Sequence, residues 1–418
     1  MKHIITLFIL LGYTSSAWAQ LTLEGEIRPR AEFRDGYRMM PTGDDSPAGQ
    51  INQRTRLSLA FDHEGRISTR ISLQDTRLWG EYLTMDGRSS LGLYEAWIAL
   101  DPSENLRIKA GRQELRYDTQ RLMAFNDWAL TGRTHDALTF RYTTEGGSRL
   151  HVGAAFNQSD NRLFETHYPL NNYKTLNYIW YNTQLTDDLN ASLHAIADGY
   201  EHPDDADEFN LRYTLASYLV YDVTPNLNFR LYPSYQLGKT AWGQNINAFY
   251  VMLEAAASMT VYMQNTLGLE IFSGMDQVDE GDTFTAFDDL YGVGHARQGF
   301  MDYFTNFPDH TQNAGLINPY LKNSYHISET TTLSADLHLF FIQNDYPDPL
   351  TGEAIDSYLG TEIDLVLTHR FNEFTQILFG YSTLFGSESM EVISGGDSGE
   401  YAHWAFAMIR MSPSFLSR

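Results

Sequence analysis

Cysteine is absent from all 418 positions of the chain. Its absence excludes a fold held together by disulfides and, after an export signal, a lipid-anchored form. Long apolar runs are also missing after the N-terminal segment, although a membrane-spanning helix needs about 20 such residues. If the chain lies in a membrane it must therefore form a closed β-barrel, because lipid tolerates only helices and sheets without free edges.

The N-terminal segment has the pattern of a secretory signal. Lys2 is followed by an apolar run from Ile4 to Leu11, and small residues stand at Ala17 and Ala19. This pattern predicts a cleaved signal peptide over residues 1–19 and a mature chain over residues 20–418. A membrane anchor is the alternative, but the apolar run is too short for one.

Aromatic residues are abundant, with 26 Tyr, 24 Phe and 7 Trp, yet the mean hydropathy is slightly polar at −0.36. A membrane barrel reconciles the two, because only every second strand residue meets lipid while aromatic girdles mark both interfaces. No linker, change of composition or internal repeat divides the mature chain. We therefore expect residues 20–418 to form a single domain.

The spacing of polar segments predicts about eighteen strands of the length usual for tilted membrane strands. Their connections should alternate strictly between short turns, facing the periplasm, and long loops, facing outside. The short turns start at Asp62, Asp101, Thr144, Thr186, Asp222, Ser258, Ser328 and His369, and long stretches include residues 35–51, 77–92, 115–135, 158–175, 275–315, 344–357 and 386–400. The predicted fold is an all-β, antiparallel, up-and-down transmembrane barrel, closed by pairing of residues 401–411 with residues 21–34.

Residues 21–34 show the clearest two-residue alternation. Apolar residues from Leu21 to Phe33 occupy one face, and the other face carries Glu24, Glu26, Arg28, Arg30, Glu32 and Arg34. In a single strand, such a charged face could equally belong to a soluble sheet. The pattern recurs around Arg54 and Arg56 and again around Arg70, however, which predicts a water-filled lumen shared by many strands.

Positive charge is concentrated near the N-terminus: 18 of the 29 Lys and Arg residues lie between residues 20 and 150. Guanidinium groups along one sector of a lumen favour an anionic solute, despite the net charge of −24. The alternative is a self-neutralised wall in which acids pair with these arginines. The acids concerned are Glu24, Glu26, Glu32, Asp75 and Glu95, and both interpretations can hold together.

Several short motifs stand out along the first third of the chain. They are Gly111-Arg-Gln-Glu-Leu115, Tyr117-Asp118, Arg121-Leu122, Asp127-Trp128, Gly132-Arg133, Asp136-Ala-Leu, residues 72–80 and Tyr94-Glu-Ala-Trp97. Together they resemble the alginate-export family of outer-membrane proteins. Residues 287–295 and 299–304 are similar to a long loop of variants from Bacteroidetes-type bacteria. The resemblance implies a barrel of about eighteen strands with an arginine-lined constriction that passes a polyuronate chain outward.

Carried onto this chain, the family motif matches Arg112, Glu114, Arg121, Asp127 and Arg133. Strict alternation along the strand would put Arg112 on the lipid side, so a lumen role requires a bulge at Gly111 that turns it inward. An Arg–Asp network that pins an inward loop would use the same residues, and this structural alternative stays open. Residues 115–135 and 275–315 are long enough to form such inward loops.

These arguments give two sets of candidate residues. Substrate contacts in the lumen are predicted for Arg28, Arg30, Arg54, Arg56, Arg70, Arg112, Arg121, Arg133 and Arg141. Structural partners are predicted to be Glu24, Glu26, Glu32, Asp75, Glu95, Glu114 and Asp127.

An enzyme is not expected. Gly396-Asp-Ser-Gly399 echoes a protease nucleophile motif but has no suitable partner motif. His151 and His194 occupy predicted inward positions without a nearby nucleophile. The acidic loops lack calcium-loop spacing, and we expect no metal site, no cofactor and no nucleic-acid partner.

The predicted function is an outer-membrane channel of a Gram-negative bacterium that passes an anionic polysaccharide or oligosaccharide. A general or nutrient-uptake porin with an anion bias is the main alternative, and a plugged adhesion barrel is a third. Further partners are expected to be the lipid and lipopolysaccharide around the barrel and the barrel-assembly machinery, with the channel acting as a monomer.

Overall fold

The computed structural model describes residues 19–81, 90–164, 166, 168, 172–279, 281–295 and 297–417. The predicted signal peptide lies outside these residues apart from Ala19. In the described part of the chain, no helix is long and apolar enough to cross a membrane.

The described residues form one antiparallel sheet of 19 strands. The strands are β1 (Ala19–Asp35), β2 (Ala48–His63), β3 (Ile67–Leu78), β4 (Gly92–Ser103), β5 (Leu106–Gln113), β6 (His135–Thr143), β7 (Arg149–Phe156), β8 (Thr175–Thr186), β9 (Leu189–His202), β10 (Asp205–Thr224), β11 (Leu227–Lys239), β12 (Asn245–Thr260), β13 (Met263–Phe272), β14 (Leu316–Ser328), β15 (Thr331–Phe341), β16 (Tyr358–Arg370), β17 (Thr375–Gly386), β18 (Ala402–Met411) and β19 (Ser414–Ser417). One 3-10 turn (Asp309–Thr311) and one short helix, α1 (Glu388–Ser394), lie in outer connections.

The sheet closes on itself. β1 pairs with β2 on one edge and with β18 on the other, where Arg30 lies opposite Met408 and Arg34 opposite Trp404. The short β19 continues this seam beside the start of β1. Eighteen strands therefore form the barrel with one added strand, which confirms the predicted fold, strand count and closure.

Alternation along β1 matches the two environments of a barrel wall. Glu26, Arg28 and Arg30 are buried inside, whereas Ile27 is 50% exposed and Phe33 44% exposed on the outer face. Successive side chains of a strand point to opposite faces, so one face meets lipid and the other the lumen. The predicted orientation of this strand is confirmed.

The eight short turns all occur where the sequence predicts them, but the other barrel end departs from the prediction. Two of its connections, residues 203–204 and 240–244, are also short. There β10 extends to 20 residues and remains paired with β9 as far as Asp205 opposite His202. The strict short–long alternation is therefore wrong at these two positions, because strand pairing continues where a loop was expected.

Two outer loops fold into the barrel, as the sequence indicated. L3 (residues 114–134) follows β5, and L7 (residues 273–315) follows β13. They meet in an isolated parallel bridge between Met123 and Tyr291. The Ala124 N–H donates to the Tyr291 carbonyl at 2.9 Å, and the Tyr291 N–H donates to Leu122 at 3.0 Å. The loops thus support each other inside the bore.

L7 packs against the far wall through aromatic side chains. Phe307 stacks on Phe272 of β13 with ring centroids 4.0 Å apart, and Phe304 lies 4.7 Å from Phe340 of β15. These rings belong to a cluster of buried apolar residues that joins both loops to the wall. Apolar packing therefore holds L7 in place on this side of the lumen.

Candidate functional site

Arg54 on β2 anchors L3 to the barrel wall. Its side chain is 0% exposed, its Nε donates to Glu26 at 2.6 Å, and a terminal nitrogen donates to the Asp127 carboxylate at 2.5 Å. The same guanidinium reaches the main-chain carbonyls of Asp127 and Ala129. A buried charge needs such complete pairing. Arg54 therefore holds a loop and is not available to a solute.

Two further predicted lumen arginines hold the same loop. Arg28 donates to the main-chain carbonyl of Asp127 at 2.7 Å. Arg30 donates to the carbonyl of Trp128 at 3.1 Å, and its guanidinium carbon lies 4.0 Å from the centre of the Trp128 ring. We call Arg28, Arg30 and Arg54, with Asp127 and Trp128, the arginine latch. It corresponds to the structural alternative that the sequence left open.

The latch stabilises a charged carboxylate at its centre. Burial alone raises the pKa of Asp127, but Arg54 and Arg28 hold it below the usual range. Arg410 of β18 adds a third cation at 3.1 Å. Asp127, a predicted structural partner, is thus the main anchor point of L3.

The tip of L3 reaches the opposite wall. Arg121 forms an ion pair with Glu270 of β13, and both side chains are buried. Glu270 also accepts from Tyr250 at 2.6 Å and from Gln298 of L7 at 2.7 Å. L3 therefore spans the bore between β2 and β13. Arg121, predicted as a substrate contact, is instead committed to this span.

L7 docks on the wall through its backbone. The Met301 N–H donates to Glu362 of β16 at 2.7 Å. Gly299 lies so close to that carboxylate that an added Cβ would stand 2.3 Å from its oxygen, and its φ of +84° favours glycine. The glycine therefore lets L7 approach the wall closely.

The remaining predicted cations have mixed surroundings. Arg70 pairs with Glu24 at 3.0 Å and Glu95 at 3.2 Å, as a self-neutralised wall requires. Arg56 lies over the Tyr94 ring at 3.5 Å, and one of its terminal nitrogens is buried without a hydrogen-bond partner in the part of the chain that the structure describes. These contacts place Arg70 in the wall and leave Arg56 only partly satisfied.

Two other predicted residues complete this set. Arg141 of β6 has a buried Nε without a hydrogen-bond partner in the described chain. Glu114 accepts from the Tyr94 hydroxyl at 2.7 Å. Arg141 thus keeps hydrogen-bonding capacity, whereas Glu114 is engaged by a tyrosine.

A cavity of about 280 Å³ lies between L3, L7 and the end of β1. Its lining includes Arg30, Arg34, Arg38, Arg133, Trp128 and Asp302. The Arg38 side chain is 62% exposed, so the cavity opens to the outside. We call it the cationic cavity. The sequence candidates included Arg30 and Arg133 but missed Arg34 and Arg38, although Arg34 continues the charged face of β1.

Positive charge exceeds negative charge in the cationic cavity. Glu32 pairs with Arg30 and Arg34, each at 2.7 Å, and Asp302 lies 3.3 Å from Arg38. Four guanidinium groups therefore face two carboxylates. Such an excess favours an anionic ligand, since guanidinium forms paired hydrogen bonds with carboxylates.

Arg133 is the cation of the cavity that forms no ion pair at close range among the described residues, although the buried Asp289 acts on it from further away. It donates to the main-chain carbonyl of Gly292 at 2.7 Å. No carboxylate lies within ion-pair distance of it among the described residues. Its remaining donors are therefore available to a ligand.

The sequence model of the family described as alginate export matches residues 19–391. The chain belongs to the alginate export family. Comparison with curated protein sequences gives no match. The narrower likeness to Bacteroidetes-type variants stays a prediction.

Solved structures share the fold of this alginate export protein. OpdK of Pseudomonas aeruginosa, determined with vanillate, has a TM-score of 0.63 at 12% identity, covering 94% of this chain and 99% of its own. OpdO of the same organism has a TM-score of 0.63 at 14% identity, covering 95% and 98%. OccD3 (OpdP) of that organism has a TM-score of 0.62 at 13% identity, covering 95% and 92%. At these identities the likeness concerns the barrel alone. Together with the family, it supports an outer-membrane channel.

The alginate export motif around Gly111 does not turn Arg112 inward. β5 and β6 stay in register from Leu106 to Gln113 without a bulge. Arg112 donates to Asp136 at 2.8 and 3.1 Å on the outer face, two residues from the exposed Leu138. The predicted bulge is therefore wrong. Gly111 adopts a φ of +119° within a continuous ladder, where a Cβ would stand 2.3 Å from a carbonyl oxygen.

Asp75 is also misplaced by the sequence reasoning. It lies on the outer face of β3, opposite Thr55, and accepts two hydrogen bonds from Arg77 at 2.6 and 2.8 Å. Alternation from the exposed Ile71 and Leu73 puts it there. It is therefore not a lumen partner of the arginines.

The pKa of Asp289, a buried acid of L7, predicts that the stability of the folded loop depends on pH. Burial, and then the nearby carboxylate of Asp288, raise the pKa of Asp289 to about 8 against the opposing effect of Arg133. Because the pKa of this acid is raised in the folded loop, its contribution to the stability of that loop is fully present below the ordinary pKa of about 4 and is lost progressively as the pH rises to about 8. The lowered pKa of Asp127 or Asp302 has the opposite sign and acts only in acid.

We expect the open probability in planar bilayers to be higher at about pH 8 than at about pH 5. Asp289→Asn should flatten this dependence without abolishing conductance. A slope that persists in the asparagine variant would assign the pH response to other groups.

Proposed function

We propose that this channel passes an anionic saccharide of the polyuronate class across the outer membrane and that the cationic cavity is its docking site. The observation that carries the proposal is the excess of guanidinium groups over carboxylates in a cavity open to the outside. Cations in a confined, partly desolvated site raise the local concentration of anions. The family supplies the expected substrate class and the outward direction.

Passage requires movement of the two loops that enclose the cavity. L3 and L7 line the cationic cavity and are joined to each other by the bridge between Met123 and Tyr291. A saccharide that binds between them is therefore in contact with the gate itself. Arg56 and Arg141, which keep unpaired donors inside the lumen, offer weaker sites further along. Several weak sites in series suit conduction, because a solute must also leave each one.

A nutrient-uptake porin with anion bias is the second candidate. It is favoured by the volume of the cationic cavity, about 280 Å³, which is at the small end for ligand sites and suits one sugar unit better than a long chain. The two candidates share the docking chemistry and differ in the length and direction of the solute.

In either case we propose a monomer surrounded by outer-membrane lipid and lipopolysaccharide, exported by the cleaved signal peptide and inserted by the barrel-assembly machinery. The closed sheet supports a monomer, since it leaves no free edge that needs a partner strand. An aromatic residue close to the C-terminus, Phe415, suits recognition by the assembly machinery.

The double variant Arg34→Gln with Arg38→Gln tests the docking site. We expect it to lower anion selectivity in planar bilayers and to weaken block by uronate oligosaccharides by at least about tenfold. Charge-assisted hydrogen bonds contribute roughly 1.5–3 kcal/mol each, and about 1.4 kcal/mol is a factor of ten. Reversal potentials under a salt gradient and the concentration of half-block are the measurements.

Arg107→Gln is the matched control, since Arg107 pairs with Asp101 near the opposite barrel end and takes no part in the cavity. Equal selectivity and equal block in the double variant would contradict the proposal. Liposome swelling with short and long uronate oligomers then separates the two candidates, because an export channel should admit the long ones.

A further inference from the structure

A second cavity shares Arg133 with the cationic cavity and is lined by other residues of L7. Its volume is about 550 Å³, within the usual range for small-molecule sites, and Arg133 lines both cavities. Exposed residues at its rim include Asn306 and Asp309, so it too opens to the outside. We call it the mixed cavity. A ligand longer than one unit could therefore occupy both cavities and contact Arg133 from each side.

The mixed cavity has no excess of positive charge. Arg212 pairs with Asp198 at 2.6 Å and with Asp288. Asp309 adds a further exposed carboxylate, which accepts from Asn306 at 2.9 Å. Two guanidinium groups, those of Arg133 and Arg212, therefore face three carboxylates in or beside the cavity. These belong to Asp198, Asp288 and Asp309. A second anionic group would be repelled here, in contrast to the cationic cavity.

His135 gives the mixed cavity an unused hydrogen-bonding group. The residue is 4% exposed, and its Nδ1 lies 2.7 Å from the hydroxyl of Tyr173. Its Nε2 is buried and has no hydrogen-bond partner among the described residues, although the side chain lines the cavity. Buried polar atoms are nearly always paired, so an unpaired one marks a place for an absent ligand or water. An uncharged hydroxyl group matches this nitrogen in either tautomer, since it both donates and accepts.

Aromatic rings supply the apolar part of the site. Tyr200 and Tyr291 line the mixed cavity. An adjoining pocket of about 330 Å³ shares Tyr200, Arg212 and Asp309 with it and adds Trp242, which is 58% exposed. Rings with an apolar face and a polar tip suit a ligand that combines C–H surfaces with hydroxyl groups.

We infer that the two cavities are adjacent subsites for one oligosaccharide, in which a carboxylated sugar occupies the cationic cavity and an uncharged, hydroxyl-rich sugar occupies the mixed cavity. The part of this inference that places a carboxylated sugar in the cationic cavity rests on the proposed function. Among the anionic saccharides of the proposed function, the preferred ligand is thus one in which uronic acid is linked to neutral sugar, and this replaces a uniform polyuronate as the best fit. Repulsion by Asp288 and Asp309 sets this preference.

The test is equilibrium binding of defined saccharides to the purified full-length channel. The probes are a uronic acid monosaccharide, a disaccharide of two uronic acids and a disaccharide of one uronic acid linked to glucose. We expect the mixed disaccharide to bind at least about tenfold more tightly than the diuronate, which corresponds to roughly 1.4 kcal/mol. Equal or tighter binding of the diuronate would overturn the inference and leave the proposed function intact. Failure of all three acidic probes to bind would reject both.

Two variants distinguish the subsites. His135→Phe keeps an aromatic ring but removes both nitrogens. It should weaken binding of the mixed disaccharide at least about fivefold and leave binding of the monosaccharide unchanged. Asp309→Asn changes an exposed residue and should reduce the difference in binding affinity between the two disaccharides. If Asp309→Asn leaves that difference unchanged and His135→Phe is folded but binds normally, the mixed cavity is not a subsite. Should His135→Phe fail to fold, the Asp309→Asn result decides alone.

Discussion

Replacing Arg54 by alanine is expected to raise single-channel conductance several-fold. The substitution removes a buried cation that binds Glu26, Asp127 and the main chain of L3 together. Breaking a buried ion pair by removing one partner costs roughly 3–5 kcal/mol, because the remaining charges stay buried without compensation. L3 should then move away from the barrel wall, and the lumen that it occupies should open.

Planar-bilayer recordings of the purified variant measure this effect. Arg70→Ala is the matched control, since Arg70 lies on the same wall and pairs with Glu24 and Glu95 without a described contact to L3. Its conductance should stay near that of the wild type. A folded Arg54→Ala barrel with unaltered conductance would show that the arginine latch does not close the channel.

Glu270→Ala is expected to release the other end of L3. Arg121 would then be buried without its carboxylate, and Gln298 of L7 would lose its acceptor as well. The same cost of roughly 3–5 kcal/mol applies, and here it falls on both loops at once. We therefore expect trypsin to cleave after Arg121 in the variant but not in the wild type, where that side chain is buried.

Limited proteolysis followed by mass spectrometry identifies the cleavage site. Glu254→Ala provides the comparison, because Glu254 lies on the next strand and is bonded to Arg230 and Tyr320 of the wall. Equal cleavage in both variants would indicate general loosening of the barrel. An uncleaved Glu270→Ala channel would mean that apolar packing alone keeps L3 in place.

The barrel itself was predictable because lipid and water impose a two-residue period on every strand. In β1 that period separates Ile27 and Phe33 from Glu26, Arg28 and Arg30, as the structure confirms. The period reports which face a residue occupies, and this is why the outward position of Asp75 could also have been read from Ile71 and Leu73.

The function of the lumen arginines was not predictable from the same period. Arg54 was correctly placed inside, but its partner Asp127 lies 73 residues away on a loop. Nothing local in the sequence of β2 indicates that this loop returns to cover it. The candidate list therefore mixed residues of the arginine latch with Arg133, which keeps free donors, because both kinds look alike in sequence.

The sequence contains signals for part of the loop structure. Helix α1 begins after Ser387, whose side chain accepts from the Met390 N–H, and ends at Gly395. Serine before a helix and glycine after it are ordinary boundary signals that the sequence reasoning did not use. The aromatic packing of Phe304 and Phe307 carries no such local signal, since a loop rich in aromatic residues could equally face outside.

The two anchor points of L3 also bear on the order in which the barrel assembles. The base of L3 binds β1 and β2, whereas its Arg121 binds Glu270 of β13. In sequence, seven strands, β6 to β12, separate L3 from β13. L3 therefore cannot reach its final position until most of the barrel has formed. We therefore expect the barrel of a newly inserted copy to conduct more ions until L3 reaches Glu270.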